Sequence, residues 1–292
     1  MTKNIAVLGT GLMGAPMARN IAAGGYEVTA WNRTAAKARA LGDAGISAAD
    51  TPAEAVAQAD FVISMLSDGK ALLALLEKEA LQEALRPGTL WIDMSSARPG
   101  EARAAAERLL GMDVGFIDAP VSGGPGGAEA GTLAIMAGAA PEDFEKARAL
   151  LATMGRPTRV GPVGAGQLAK LANQAIVGIT IAAVAEATLL LERGGADPAG
   201  VREALRGGFA DSTVLQLHGA RMQQRDFTPG GPARLQLKDM ENVLSEAGEL
   251  DLPTVRQTRD RYARYLAELD GAERDHSGLF EELLDLNGLL TR

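Results

Sequence analysis

The segment Gly9-Thr10-Gly11-Leu12-Met13-Gly14 constrains the fold of this chain more than any other. It follows the apolar run Ile5 to Leu8, typical of a buried strand, and leads into a helical pattern that extends to Ala23. GxGxxG is weak evidence alone, but between a strand and a helix it has the context of dinucleotide binding. The first glycine makes the turn, the second lets a pyrophosphate approach, and the third lets helix and strand pack. We predict that Gly9, Thr10, Gly11, Leu12, Met13 and Gly14 bind a dinucleotide; the alternative is a glycine-rich turn without a ligand.

The end of the second predicted strand, Glu27 to Ala30, indicates which dinucleotide is bound. An NAD-selective site usually carries Asp or Glu there, to bind the ribose hydroxyls. This chain instead has Asn32, Arg33 and Thr34, which are donors suited to a 2′-phosphate. The pattern predicts NADP rather than NAD. The alternative is that Arg33 is merely solvated and that both cofactors are accepted.

Strands and helices continue to alternate up to residue 160, which predicts an open α/β sheet. The further strands are predicted at Asp60–Leu66, Thr89–Met94, Val114–Ala119, Leu133–Ala137 and Thr158–Val160, and helices at Leu72–Leu85, Pro99–Leu110 and Glu142–Thr153. In such sheets, ligands lie beyond the carboxyl ends of the strands. Leu66, Ser67 and Ser96 are therefore predicted to contact the cofactor, with simple loop capping by the serines as the alternative.

The segment Pro120–Ala128 is unusually rich in glycine, with four glycines among nine residues. Glycines permit close backbone approach, and successive N–H groups can form a nest for an anion. We predict that Ser122, Gly123 and Gly124 bind a carboxylate or phosphate of the substrate. A glycine-rich hairpin without a ligand is the alternative.

After Gly166 the strand signals stop. Gln167 to Arg193 is predicted as one helix of 27 residues, about 40 Å long at the usual rise per residue. Further helices are predicted at Pro198–Arg206, Ser212–Gln223, Ala233–Glu249, Pro253–Leu269 and Ser277–Leu290. The sequence therefore predicts an α/β protein, with an N-terminal Rossmann-type domain (1–163) followed by an all-helical domain (164–292).

Two polar residues interrupt the start of the long apolar helix. Lys170 and Asn173 are three residues apart and so share one helix face. Burying them is costly unless they serve a purpose. From the residues alone, a catalytic pair and a buried polar tie between helices remain equally open. Lys238-Asp239, on a later helix, has an intrahelical surface pair as its simplest interpretation.

Composition narrows the classes of partner. The net charge of -8 argues against nucleic acid and anionic membranes. There is no cysteine, and the two histidines, His218 and His276, lack partners at metal-ligand spacing, so we predict no metal site. Polar residues interrupt the most apolar segment, Leu168 to Leu191, and the N-terminus lacks a signal-peptide pattern. We expect a soluble, cytoplasmic protein.

Four stretches together resemble the β-hydroxyacid dehydrogenase family, nearly end to end. GTGLMGAPMARN at 9–20 looks like its cofactor motif, DAPVSGGPGGAEAGTL at 118–133 like its substrate motif, GAGQLAKLANQ at 164–174 like its catalytic motif, and KDMENVL at 238–244 like a later family segment. The Asn-Gln pair at 173–174 and DHSGL at 275–279 resemble the 2-hydroxy-3-oxopropionate (tartronate semialdehyde) reductases more than the 3-hydroxyisobutyrate dehydrogenases, which typically have Asn-Asn.

The resemblance implies a 6-phosphogluconate dehydrogenase-like fold, with the active site in the cleft between the two domains. It implies that Lys170 is the general acid, that Asn173 orients the substrate, and that Ser122, Gly123 and Gly124 hold its carboxylate. Ser96 is implied at the nicotinamide ribose and Lys238 at the nicotinamide end of NADP. It also implies a homodimer or homotetramer.

Two departures from the family pattern affect specificity. The similar reductases often carry an acidic residue where this chain has Asn32, and the family commonly has Phe where this chain has Gly231. Two more distant functions remain as alternatives, an imine reductase and a non-catalytic dinucleotide-binding module. Lys170 argues against both.

Overall fold

The computed structural model describes residues 3–290. The chain divides into two compact units, Met1–Lys170 and Leu171–Arg292. The division falls inside the long helix, whereas the domain boundary predicted after Val163 lies just before that helix begins. We describe each unit by itself.

A sheet of nine strands forms the centre of the first unit. The strands are β1 (Asn4–Leu8), β2 (Glu27–Trp31), β3 (Ser47–Ala48), β4 (Phe61–Ser64), β5 (Leu90–Asp93), β6 (Gly115–Asp118), β7 (Val121–Ser122), β8 (Leu133–Gly138) and β9 (Gly155–Gly161). Strands β3-β2-β1-β4-β5-β6 are parallel in that order, β8 pairs antiparallel with both β6 and β7, and β9 pairs parallel with β8. This order is that of a Rossmann-type sheet, in agreement with the predicted fold class, and it places the glycine loop after β1 beside the ends of β2 and β4.

Helices connect these strands on both faces of the sheet. They are α1 (Gly14–Ala23), α2 (Ala35–Arg39), α3 (Pro52–Val56), α4 (Gly69–Leu76), α5 (Glu79–Ala84), α6 (Pro99–Leu110), α7 (Gly124–Ala130) and α8 (Pro141–Leu151). Alternate side chains of the central strand β1 enter opposite cores: Ile5 and Val7 pack on one face, and Ala6 and Leu8 on the other. This period of two is why the strands read as continuous apolar runs.

Three features of the first unit differ from the sequence prediction. The single helix predicted at Leu72–Leu85 is wrong, because it is divided at Glu77–Lys78 into α4 and α5. The short elements α2, β3, α3 and β7 were not predicted. The glycine-rich segment is only partly a loop, because Gly124–Ala130 forms α7.

The regular elements described in the second unit, up to residue 290, are all helices, as predicted. Its helices are the rest of α9 (Ala165–Arg193), then α10 (Pro198–Ala204), α11 (Thr213–Gln224), α12 (Ala233–Ala247), α13 (Pro253–Leu269) and α14 (Leu279–Leu286), with a 3₁₀ turn at His276–Gly278 before α14. Ile181 and Ala185 of α9 are fully buried in a core with Tyr262, Tyr265 and Phe280.

Helix α9 is the one helix within residues 3–290 that is long and apolar enough to cross a membrane by length and composition. Its most apolar window has a mean hydropathy of 1.9, and a third of that window (33%) is buried in the protein. The central helix of a helical domain meets the same criteria. Here the packing of Ile181 and Ala185 against the aromatic core gives α9 that central position.

Candidate functional site

The glycine loop after β1 is shaped by contacts that exclude side chains at two of its three glycines. Gly9 has φ +103°, and an added Cβ would lie 2.3 Å from the Met65 carbonyl oxygen. A Cβ on Gly14 would lie 1.9 Å from the Gly9 carbonyl oxygen, so helix α1 packs directly on the turn. A Cβ on Gly11 would meet nothing within 4 Å. Gly11 therefore leaves open the space in which a pyrophosphate would approach the backbone.

Thr10 and Asn32 connect this loop to the end of β2. The Thr10 backbone N–H donates to Asn32 Oδ1 at 3.0 Å, and Asn32 Nδ2 donates to the Thr34 carbonyl at 3.1 Å. The Thr10 hydroxyl is buried and has no hydrogen-bond partner within the described chain. Buried hydroxyls are rarely left unpaired. An unpaired hydroxyl beside the open space at Gly11 fits the phosphates of a dinucleotide.

The other predicted cofactor residues lie on loops at the same edge of the sheet. Arg33 and Thr34 are exposed after β2, Ser67 is exposed after β4, and Ser96 is half-buried after β5. The Leu66 backbone N–H donates to Ser95 Oγ at 2.9 Å. Since neighbouring parallel strands end at one edge, these loops surround the glycine loop. Leu12 is 83% exposed and Met13 half-buried in the same loop.

Two buried aspartates, which sequence reasoning missed, occupy the ends of adjacent strands. Asp93 on β5 is paired in register with Asp118 on β6. Asp93 Oδ1 accepts hydrogen bonds from Ser64 Oγ and Ser95 Oγ, both at 2.7 Å. Burial raises the pKa of Asp93 to about 6 and that of Asp118 to about 7. The available signal was an acid directly after each apolar run, at the edge where ligands bind.

The predicted substrate loop begins at the end of β7. Ser122 is half-buried there, and Gly123 and Gly124 have φ values of +138° and +63°. These are backbone conformations that glycine adopts readily and other residues rarely do. Helix α7 follows at once, so the segment is a tight turn into a helix.

Lys170 and Asn173 lie one turn apart on α9, and both are half-buried. The helix is continuous through both residues, so the predicted spacing on one helix face is retained. Lys170 belongs to the first compact unit and Asn173 to the second.

In the second unit, hydrogen bonds join Asn173 to α12. Asn173 Nδ2 donates to Gln174 Oε1 at 2.8 Å, and Gln174 Nε2 donates to Asp239 Oδ2 at 2.7 Å. Lys238 Nζ lies 3.4 Å from Asp239 Oδ1. Sequence reasoning named Asn173 and Lys238 but missed that Gln174 and Asp239 connect them. An Asn at 174 would be one methylene shorter, so Gln174 is suited to reach α12.

Comparison with known proteins identifies the family. Residues 4–172 match the NAD binding domain of 6-phosphogluconate dehydrogenase, and residues 164–283 match the NAD-binding domain of NADP-dependent 3-hydroxyisobutyrate dehydrogenase. The 2-hydroxy-3-oxopropionate reductase of Escherichia coli (strain K12) is 38% identical over 283 residues, 94% of this chain and 95% of the relative. This chain belongs to the β-hydroxyacid dehydrogenase family. It is therefore an NAD(P)-dependent oxidoreductase.

Two further β-hydroxyacid dehydrogenase relatives extend the comparison. The NAD-dependent L-serine dehydrogenase of Pseudomonas aeruginosa is 36% identical, covering 97% of this chain and 98% of the relative. The solved structure of Mycobacterium tuberculosis 3-hydroxyisobutyrate dehydrogenase with L-serine superposes with a TM-score of 0.87 at 30% identity, covering 97% of this chain and 99% of that one. These matches confirm the predicted family and fold class.

His218, Asp275 and His276 form a cluster that their sequence spacing concealed. Their ligand-type atoms all lie within 4.8 Å of one another. Asp275 Oδ2 accepts the backbone N–H groups of Gly230 and Gly231 at 3.0 Å and pairs with Arg221 at 3.1 Å. Oδ1 accepts the Ser277 backbone N–H and hydroxyl.

These donors already satisfy the Asp275 carboxylate, and the Arg221 cation lies beside it. The cluster therefore serves to anchor the loop that precedes α12. The His276 ring lies against Gly231, where a Cβ would be 3.4 Å from the imidazole. This β-hydroxyacid dehydrogenase thus has an imidazole beside the position where the sequence departs from the family pattern.

The buried imidazole of His218 should make the helical unit sensitive to acid. Burial, together with the nearby His276 and Arg221, lowers the pKa of His218 to about 4 despite the opposing effect of Asp275. In the unfolded chain, His218 has a pKa near the ordinary value of 6.5. Between about pH 4 and pH 6.5, the unfolded chain therefore binds more protons than the folded protein, so acid favours unfolding. Acidification from pH 6.5 to pH 5 should cost on the order of 2 kcal/mol of unfolding free energy.

Hydrogen exchange of α11 amides, corrected for intrinsic rates, at pH 7 and pH 5 measures this effect. His218→Gln should reduce the acid sensitivity, because glutamine does not titrate and His276, whose pKa burial also lowers, remains as the one imidazole of the cluster. An equal pH response in the variant and the parent protein would contradict the assignment to His218.

Proposed function

We propose that this protein reduces 2-hydroxy-3-oxopropionate (tartronate semialdehyde) to glycerate with NADPH. The choice of substrate is supported by the 38% identity to the E. coli reductase over 94% of the chain. The observation that carries the chemistry is Lys170, one turn before Asn173 on a continuous helix. Reductases of other small semialdehydes or of glyoxylate, and 3-hydroxyisobutyrate dehydrogenase, are the neighbouring functions within the family.

Lys170 has the role of general acid in this proposal. When bound, the nicotinamide supplies the hydride that reduces the aldehyde carbon. Lys170 Nζ gives a proton to the carbonyl oxygen, which becomes the new hydroxyl, and it takes the proton back in the reverse reaction. The Asn173 side chain, held by Gln174 and through it by Asp239, orients that oxygen. Lys238 approaches the nicotinamide end of the cofactor.

Ser122 and the backbone amides of Gly123 and Gly124 hold the substrate carboxylate. The hydroxyl and the successive N–H groups of this turn are all donors suited to an anion. The positive φ of Gly123 and Gly124 allows the backbone to turn its amides without side chains in the way. Carboxylate binding here is what selects small acids over neutral carbonyl compounds.

NADPH is the proposed cofactor because the end of β2 lacks an acid. The side-chain amide of Asn32 is already bonded to Thr10 and Thr34, so Arg33 is the cation available for a 2′-phosphate. Arg33 is exposed and makes no hydrogen bond or ion pair with any described residue. Binding by Thr34, Leu66, Ser67 and Ser96 completes the cofactor contacts.

Arg33→Ala should raise KM for NADPH about 10-fold and leave KM for NADH unchanged, because only NADPH carries the phosphate. Steady-state kinetics with both cofactors measures this. Arg39→Ala is the matched control, since that exposed arginine pairs with Asp50 on the surface. An equal effect of Arg33→Ala on both cofactors would contradict the assignment.

A second candidate is oxidation of L-serine or a related β-hydroxy acid with NAD. The 36% identity to the P. aeruginosa serine dehydrogenase favours it. A spectrophotometric panel distinguishes the two functions. NADPH and NADH are tested with tartronate semialdehyde, succinic semialdehyde, methylmalonate semialdehyde and glyoxylate, and NADP and NAD with L-serine. The main proposal requires the highest kcat/KM with tartronate semialdehyde and NADPH; faster NAD reduction with L-serine would replace it.

We also propose that the protein is a cytoplasmic homodimer or homotetramer. Leu168, Ile176 and Leu190 are 54%, 66% and 73% exposed at helical spacing along one side of α9. Exposed apolar side chains on one side of a helix are typical of an interface, and a second copy of the chain is the proposed occupant. Light scattering after gel filtration tests the assembly, and a monomer at micromolar concentration would contradict it.

A further inference from the structure

Asp118 holds the start of the helix that carries Lys170. Its carboxylate, fully buried at the end of β6, accepts the Gly164 backbone N–H at 2.7 Å and the Gln167 backbone N–H at 2.8 Å, one with each oxygen. These two amides flank the first residues of α9, where the helix lacks internal acceptors. A carboxylate there satisfies both donors and interacts favourably with the helix dipole.

Gln167 holds the same turn from its other side. The Gln167 side chain accepts the Ala97 backbone N–H at 2.9 Å and donates to the Ser95 carbonyl at 2.8 Å. Its side chain is fully buried. The first turn of α9 is thereby attached to the loop that follows β5, where Ser96 lies, as well as to β6.

Gly166 lets the helix start lie directly on the sheet. An added Cβ at Gly166 would be 2.4 Å from the carbonyl oxygens of Asp118 and Met136. Lys170 follows Gln167 by three residues, which is less than one helical turn. The orientation and axial position of this first turn therefore determine where the Lys170 amine lies relative to the cofactor loops of the same unit.

We propose that Asp118 is a positioning residue that, together with Gln167, sets the location of the Lys170 amine through the first turn of α9. The inference rests on the proposed catalytic role of Lys170. Asp118 acts through backbone amides and does not touch substrate in this proposal.

Because Asp118 can be protonated, this arrangement predicts that turnover depends on pH. Burial raises the pKa of Asp118 to about 7, with Asp93 on β5 adding to the effect and the Gly164 and Gln167 hydrogen bonds opposing it. Arg103 on α6 lies beside Gly164, and Lys170 is the charged residue within the first two turns of α9. A protonated carboxyl has one oxygen fewer to accept an N–H, so turnover should fall as pH drops through about 7.

The experiment compares Asp118→Asn with Asp197→Asn. Asp197 caps α10 in the same manner, accepting the Ala199 and Gly200 N–H groups at 3.0 Å, but on an exposed surface. Asp118→Asn should lower kcat about 10- to 100-fold, since a displacement of about 1 Å has that effect. The affinity for NADPH should be unchanged, and hydrogen exchange of the 164–171 backbone amides should become faster. The decrease of turnover below about pH 7 should disappear from the pH profile. Asp197→Asn should change only the hydrogen exchange of the backbone amides in α10.

Two further measurements keep the outcome unambiguous. Gln167→Met replaces Asp118→Asn as the test if that variant does not fold. It should likewise lower kcat and leave the affinity for NADPH unchanged. Competitive acetylation of the Lys170 amine reports its position and reactivity without any substrate, so it separates failure of this inference from failure of the proposed reaction. Unchanged kcat, unchanged acetylation of Lys170, or parallel loss of kcat and NADPH binding would overturn the role of Asp118.

Discussion

Lys170→Ala is expected to reduce turnover about 10³-fold, because general acid catalysis by a positioned side chain contributes an effect of this size. NADPH binding should remain intact, since the glycine loop and the end of β2 are untouched. Lys170→Arg should not restore activity, because a guanidinium with a pKa above about 12 keeps the charge but does not release the proton. Single-turnover kinetics and NADPH fluorescence titration measure the two effects separately.

The matched control for Lys170 is Lys146→Ala. Lys146 is an exposed lysine of α8 that pairs with Asp143, so its loss should leave kcat unchanged. Full turnover by Lys170→Ala would refute the mechanism, whereas rescue by Lys170→Arg would indicate that charge rather than proton transfer is required.

Alanine at Gly11 and at Gly14 should impair the enzyme in two different ways. Gly11→Ala meets no protein atom within 4 Å, so stability should not change. The methyl group should obstruct the pyrophosphate and weaken NADPH binding about 10- to 100-fold, the value of one or two charge-assisted hydrogen bonds. Gly14→Ala places its Cβ 1.9 Å from the Gly9 carbonyl oxygen, so the loop must shift and stability should fall by about 1–3 kcal/mol.

Thermal denaturation and NADPH titration of both variants measure this contrast. Gly42→Ala is the control, because a Cβ there also has open space and Gly42 lies away from the glycine loop, in the 3₁₀ turn Gly42–Ala44. Loss of stability in Gly11→Ala, or retained NADPH affinity with normal stability in Gly14→Ala, would contradict the roles assigned to these glycines.

The fold was largely predictable because its determinants are local. A buried strand followed at once by GxGxxG and a helix specifies the first βαβ unit, and strand–helix alternation continues the sheet. The division of Leu72–Leu85 into α4 and α5 was not predicted. The apolar spacing resumes after Glu77 and Lys78 with no glycine or proline between, so no helix breaker marks the division, and the Lys78 backbone is extended.

The candidate site was predictable only in part. Lys170, Asn173, Ser122 and Lys238 stand out as polar groups in apolar or glycine-rich surroundings. Asp93 and Asp118 did not, and Asp239 was noted only as a surface partner of Lys238, because an acid after a strand or within a helix is usually solvated. Only their burial, and partners up to 65 residues away in sequence, distinguish them.

The sequence by itself determined the family of this protein and predicted the segments that carry its chemistry: a glycine loop for a dinucleotide, a donor-rich turn for an anion, and a lysine on a long apolar helix. Each of these is a short segment whose residue types limit what it can bind. The tertiary structure alone decided how the lysine is held, through Asp118 and Gln167 at the first turn of α9, and how His218 and His276 meet at Asp275. Such contacts join residues far apart in the chain, and no local pattern encodes a distance across a folded unit.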